Sequence, residues 1–238
     1  MAMKGNAKNI FLVVGSLCTT IVICVFFGFF GQNEEDVIIN RIVGIVAIIS
    51  GMGSLLVGVS SIFTTSLDNV REYFATGEDS EIADSRHILY NYRNIKIKYN
   101  KSVYDDDFDE WMKENISPDN KDFYIESKDS IFTASSRVAN FYQMWGLLQY
   151  RNFLPIWVFD STSGYNMIRL YQAVEDIIER KRGFNPLYAG HFEDLCKRIN
   201  KKYKRVIKQC RDSERALFIE KYGVENPDSN KTFSLEIK

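Results

Sequence analysis

Two long apolar runs open the chain. Residues 10–30 contain no charged side chain, and neither do residues 42–67. A hydrocarbon core about 30 Å thick takes roughly 20 helical residues to cross, so each run predicts a transmembrane helix. Leu, Ile, Val and Phe each favour the centre of such a helix by about 0.3–0.6 kcal/mol, with no central charge to oppose them. The first run is longer than a signal peptide's apolar region and ends in Phe-Phe-Gly-Phe-Phe rather than in small residues, so it predicts an anchor rather than a cleaved leader. The connector, residues 31–41, is short, which predicts an antiparallel hairpin. Lys4 and Lys8 precede the first run, and Arg71 and Arg86 follow the second, while the connector holds only Arg41. That bias places both termini in the cytoplasm.

Beyond residue 67 the apolar positions become periodic. Helix runs on through Val70, Tyr73 and Phe74 to a stop at Gly77. Asp79 or Ser80 caps a second helix with Ile88, Tyr92, Ile95 and Tyr99 on one face, although its end also alternates like a strand. Residues 105–115 predict a short acidic helix before Pro118. Asp129 or Ser130 caps the next, whose inner face is Val138, Phe141, Trp145 and Leu148. Pro155 suits the first turn of a short helix. Residues 161–163 open another, with Met167, Leu170, Tyr171, Val174, Ile177 and Ile178 inward and Gly183 as its stop. Asn185 and Pro186 begin a last long helix with Phe192, Leu195, Ile199, Tyr203, Val206 and Cys210 on its seam, reaching towards Tyr222. The fold class is all-α: a transmembrane hairpin (residues 1–67), a helical cytoplasmic domain (68–223) and a polar tail (224–238).

Charge sharpens this division. Lys and Arg total 30 and Asp and Glu 31, for a net charge of −1. Only six of these charges fall within residues 1–67: Lys4, Lys8, Glu34, Glu35, Asp36 and Arg41. The near-balance excludes a globally basic nucleic-acid coat and an acidic disordered chain. Four cysteines do not make a disulfide framework, and a cytoplasmic domain would keep Cys196 and Cys210 reduced.

Two patterns stand out as candidate sites. Gly44, Ala47, Gly51, Ser54, Gly58 and Ser61 form a heptad seam of small side chains in the second span. Such seams let helix backbones approach closely in lipid, either within one hairpin or between subunits of a homo-oligomer. Assembled hairpins would line a passage with Ser and Thr hydroxyls. The second pattern is Lys197, Arg198, Lys201, Lys202, Lys204, Arg205, Lys208 and Arg211, eight cations with no carboxylate among them. Such a face is a solvated surface, a contact for anionic lipid, or a contact for nucleic-acid phosphates.

Familiar chemistry is otherwise missing from the sequence. The acidic cluster Asp105, Asp106, Asp107, Asp109 and Glu110 lacks the Gly and Glu spacing of a calcium loop and reads as a helix N-terminus. His87 and His191 have no metal-ligand spacing with the cysteines. Ser163-Gly164 lacks the flanking glycines of a nucleophile elbow, and there is no phosphate loop. No catalytic, metal-binding or cofactor-binding residue is expected, and the chain does not read as an enzyme.

The plan of hairpin, short connector and helical domain resembles small bacterial two-transmembrane proteins of unknown function. The resemblance runs from Ser136, Arg137, Phe141 and Tyr142 to Asn185, Pro186, Leu187, Tyr188, Phe192 and Leu195. It also resembles, by architecture, the membrane effectors of anti-phage retron systems. That resemblance implies an inner-membrane effector of antiviral defence acting by abortive infection, with the lipid bilayer, a reverse transcriptase and its nucleic acid as partners. A membrane-tethered adaptor that binds a protein, nucleic acid or anionic lipid through the basic helix is the alternative.

Overall fold

The computed structural model describes residues 34–223, all helix and turn with no strand among the described residues. The chain is therefore all-α. It divides between Leu67 and Asp68 into two compact units. The expected first span, residues 10–30, and the tail, 224–238, lie outside the described residues.

Helix α1 runs unbroken over Glu34–Gly77. It contains the second apolar run and includes residues 34–41 of the expected connector. Its portion Ser50–Gly77 is long and apolar enough to cross a membrane, and the 18-residue apolar window within it is not buried. The exposed side chains there include Met52, Leu56 and Val57.

The second unit is built from α2 (Ser80–Tyr99), α3 (Phe108–Asn115), α4 (Lys128–Tyr150), a 3-10 turn (Ile156–Phe159), α5 (Ser161–Arg182), α6 (Gly190–Lys202) and α7 (Lys204–Tyr222). Asp79 caps α2, its side chain accepting from the Glu81 amide at 2.8 Å. Asn100, left-handed at φ 52°, ends it, so the alternating Ile95–Tyr99 stretch is helix after all. Ser127, rather than Asp129 or Ser130, caps α4. The acidic helix starts at Phe108, because Asp105 and Asp107 are spent on the turn before it: Asp105 accepts from the Ser102 amide, and Asp107 pairs with Lys101.

Packing follows the expected faces. α2 lies chiefly on α4 and α5, α4 on α6, and α5 on α6 and α7. Tyr92, Ile95, Val138, Trp145, Leu170, Val174, Ile178, Phe192, Leu195 and Ile199 are all buried. Tyr73, in the last turns of α1, meets Trp145 and Phe159 edge-on, with ring centroids 5.2 Å apart in both cases. Tyr142 stacks on Phe192 at 4.9 Å. Two glycines permit the closest approaches. A Cβ on Gly146 would stand 2.3 Å from the His191 carbonyl oxygen, and one on Gly164 would stand 2.2 Å from that of Phe159.

The expected last long helix is two helices. Residues 186–189 form a turn, and α6 begins at Gly190, its His191 and Phe192 amides both donating to the Gln143 side chain, at 2.9 and 3.3 Å. The helix then breaks at Tyr203. The break rotates the inward seam, so Ile207 and Phe218 are buried where Val206 and Cys210 were expected.

Candidate functional site

The break at Tyr203 governs the basic cluster. Tyr203 carries no Gly or Pro neighbour to force a stop; instead its hydroxyl donates to the Ile156 carbonyl oxygen at 3.4 Å, tying the junction to the 3-10 turn. Lys201 and Lys202 lie in the last turn of α6, where the helix dipole favours cations. Lys204 and Arg205 lie in the first turn of α7, where it opposes them, and no side chain caps that end.

The eight cations therefore separate into two groups. Lys197 pairs with Glu193 at 2.6 Å and Arg211 with Asp212 at 3.2 Å. Arg198 is half-buried: it donates to the Asp194 and Gly146 carbonyls and lies over the Tyr150 ring, and burial lowers its pKa. Lys201, Lys202, Lys204, Arg205 and Lys208 are exposed and make no ion pair among the described residues. The structure thus concentrates five uncompensated cations around one junction.

Deeper in the unit lies an ionic brace that the sequence pattern did not reveal. Arg93 of α2, fully buried, holds Glu214 of α7 with both terminal nitrogens, at 2.9 and 3.0 Å. Arg169 of α5 binds the same carboxylate at 2.7 Å and lies over the Tyr90 ring. The Tyr165 hydroxyl donates to it at 2.5 Å, and burial and the Glu214 charge push that phenol well above its usual range. A second knot joins α2 to α5: Tyr92 donates to Asp176 at 3.0 Å, and Lys96 pairs with Asp176 at 3.2 Å. One signal was available. Glu214 lies seven residues after Ile207 and four before Phe218, so the inward seam of α7 contains a carboxylate.

No protein-family model, curated protein or solved structure matches the chain.

The other notable side chains take ordinary places. Trp145 is core, and Arg169 belongs to the brace. Cys196 is buried, and burial, with Glu193 nearby, pushes its thiol well above the usual range; Cys210 is half-buried on another helix. Among the described residues no group of three His, Cys, Asp or Glu could hold a metal ion. Asp109 accepts from the Lys128 amide at 2.9 Å, so the acidic cluster braces the start of α4.

The small-residue seam lies on α1. Among the described residues a Cβ on Gly51 or Gly58 meets nothing within 4 Å, and Ser54 and Ser61 are exposed; Gly44 is half-buried, and the side chain of Ala47 lies outside what is described. Ser54, Thr64 and Thr65 donate their hydroxyl protons to the carbonyls of Ser50, Ser60 and Ser61, at 3.0, 2.9 and 2.9 Å. Their donors are consumed within the helix, leaving oxygen lone pairs to face outward.

Proposed function

We propose that the chain is a membrane-anchored effector of bacterial antiviral defence, without catalytic chemistry of its own. Its N-terminal hairpin sits in the inner membrane with both termini cytoplasmic. Hairpins assemble through the small-residue seam and perturb the bilayer. The helical cytoplasmic unit restrains them until a partner binds. Shifting such a two-state equilibrium from 1:99 to 99:1 takes about 5.5 kcal/mol of differential binding.

The observation that carries this reading is the bare apolar surface of α1. Met52, Leu56 and Val57 are 47, 69 and 69% exposed on a helix long enough to span. In water such surface costs about 25 cal/mol per Å²; in lipid it costs nothing. Among the described residues nothing fills the space beside Gly51 and Gly58, which supports the assembly step by leaving room for another helix at close range. The anti-phage setting rests on likeness of architecture alone.

The test is membrane potential in bacteria induced to make the full chain, beside Gly51→Leu and Gly58→Leu, with neighbouring genes supplied and phage present. Depolarisation that both substitutions abolish is the expected result. Depolarisation that survives both removes close packing at the seam as the mechanism. The five uncompensated cations favour the second reading, a tethered adaptor. That reading gains if the full chain never depolarises the cell, even during infection.

A further inference from the structure

We propose that the second unit carries a membrane-docking rim, in which an exposed aromatic turn and the basic Tyr203 junction together seat on an anionic lipid surface. This deepens the membrane reading above and rests on it. Two long-range hydrogen bonds gather the parts. Asn69 donates its Nδ2 to the Phe153 carbonyl oxygen at 3.1 Å, and the Tyr203 hydroxyl donates to the Ile156 carbonyl oxygen at 3.4 Å. Residues 150–157 therefore touch both the first residues of the unit and the junction that holds the cations. Asn69 follows the expected span, residues 42–67, by two positions in the sequence.

The turn is built to show its rings. Tyr150, Phe153 and Trp157 are 58, 51 and 41% exposed, whereas Leu154 between them is fully buried. Asn152 holds the backbone in the left-handed region at φ 62°, which reverses the chain between Tyr150 and Phe153. Exposed aromatic rings beside a span are the usual anchors at a lipid–water boundary. Lys202 and Lys204 flank Tyr203 directly, with Lys201, Arg205 and Lys208 beside them. Asp160 faces the same junction and is outnumbered. Lys204 and Arg205 crowd the positive, uncapped end of α7, an arrangement that anionic headgroups relieve. Tyr150 is partly covered by Arg198, and solvation alone accounts for the cations but leaves Phe153 and Trp157 unexplained. Nucleic acid could use both, but nothing about it requires them to lie beside Asn69, next in sequence to the expected span.

The test uses the full chain in vesicles of phosphatidylcholine alone, or of phosphatidylcholine with phosphatidylglycerol, containing brominated lipid. Insertion is scored first by resistance to carbonate extraction. Quenching that disappears in Trp157→Phe reports the depth of Trp157, separately from Trp111 and Trp145. The expected result is Trp157-dependent quenching that requires phosphatidylglycerol and falls with salt. Each cation near an anionic surface contributes about fivefold. Changing Lys201, Lys202, Lys204 and Arg205 together to Gln therefore lowers the docked fraction relative to undocked by nearly three orders of magnitude. These are surface side chains, and unchanged far-ultraviolet circular dichroism confirms that the fold survives. A carbonate-resistant chain without Trp157-dependent quenching overturns the rim but leaves the anchor standing. Extraction by carbonate overturns the membrane reading and the rim with it. Quenching indifferent to phosphatidylglycerol and to the four substitutions removes the basic arm. Absent quenching, with binding of a labelled single-stranded DNA that the four substitutions abolish, makes the surface a nucleic-acid site instead.

Discussion

Replacing Glu214 with Ala removes the carboxylate on which Arg93, Arg169 and Tyr165 converge. Arg93 is fully buried and Glu214 nearly so, at 0 and 12% side-chain exposure. Breaking a buried pair from one side costs about 3–5 kcal/mol, because the surviving charge stays in a poorly solvating interior. Arg169, 22% exposed, can turn partly to water and adds little to that figure. A unit of this size loses roughly 2–4 °C of melting temperature per kcal/mol, so Glu214→Ala lowers the transition by about 10 °C. The measurement is a thermal melt of the full chain in detergent micelles, followed by far-ultraviolet circular dichroism. The control is the double substitution Arg93→Met with Glu214→Leu. Buried ion pairs exchanged for apolar residues of similar volume are often neutral, so the double variant regains most of what either single change loses. A Glu214→Ala melt within about 2 °C of the parent would refute the reasoning. So would a double variant whose loss equals the sum of the two single losses.

Further outcomes follow from the same geometry. Gly146→Ala forces a Cβ against the His191 carbonyl and costs about 1–3 kcal/mol or more in the melt, whereas Gly190→Ala, with open space around it, is neutral or slightly stabilising. Gln143→Leu strips two amides at the start of α6 of their acceptor and costs about 1 kcal/mol, while Gln143→Glu keeps the acceptor and most of the stability. Burial raises the Glu193 carboxyl, but hydrogen bonds from Lys197 and Arg182 outweigh it and hold the pKa below the ordinary Glu value. A depressed carboxylate stabilises the fold above its unfolded pKa and loses that contribution as pH falls through its folded pKa. The acid limb of a pH–stability curve is therefore shallower in Glu193→Gln. Peptide mapping after brief thiol alkylation finds Cys210 modified well before Cys196, which reacts at a comparable rate only in denaturant.

Helical periodicity made most of the second unit legible. The inward faces of α4 and α5 carry Val138, Phe141, Trp145, Met167, Leu170, Val174 and Ile178 as the spacing demands, and Gly77, Asp79, Pro155 and Gly183 act as the stops and starts their chemistry suggests. The break at Tyr203 was not legible, because residues 199–207 contain no Gly or Pro and the constraint comes from Ile156 on another element. The late start of α6 was hidden for a similar reason: the groups that satisfy its first amides belong to Gln143 of α4. Arg93 sits one position beyond Tyr92 on a helix that otherwise looks amphipathic, and a lone arginine reads as surface until its partner is known. Of the candidate sites, the basic cluster was visible as a run of charges, but its division into paired and uncompensated members depended on Glu193, Asp212 and Gly146.

The brace also sets an order of manufacture. Glu214 lies 121 residues downstream of Arg93. At a synthesis rate of about 5–20 residues per second, the arginine waits roughly 6–24 s before its carboxylate has even been polymerised. Until then the α2 segment carries a cation that no completed interior can accept, so the unit cannot close around it. The apolar N-terminal runs leave the ribosome first, before any of the second unit exists. Completion of the second unit is thereby deferred to the last helix made, and a ribosome that stops short of residue 214 leaves Arg93 without that carboxylate.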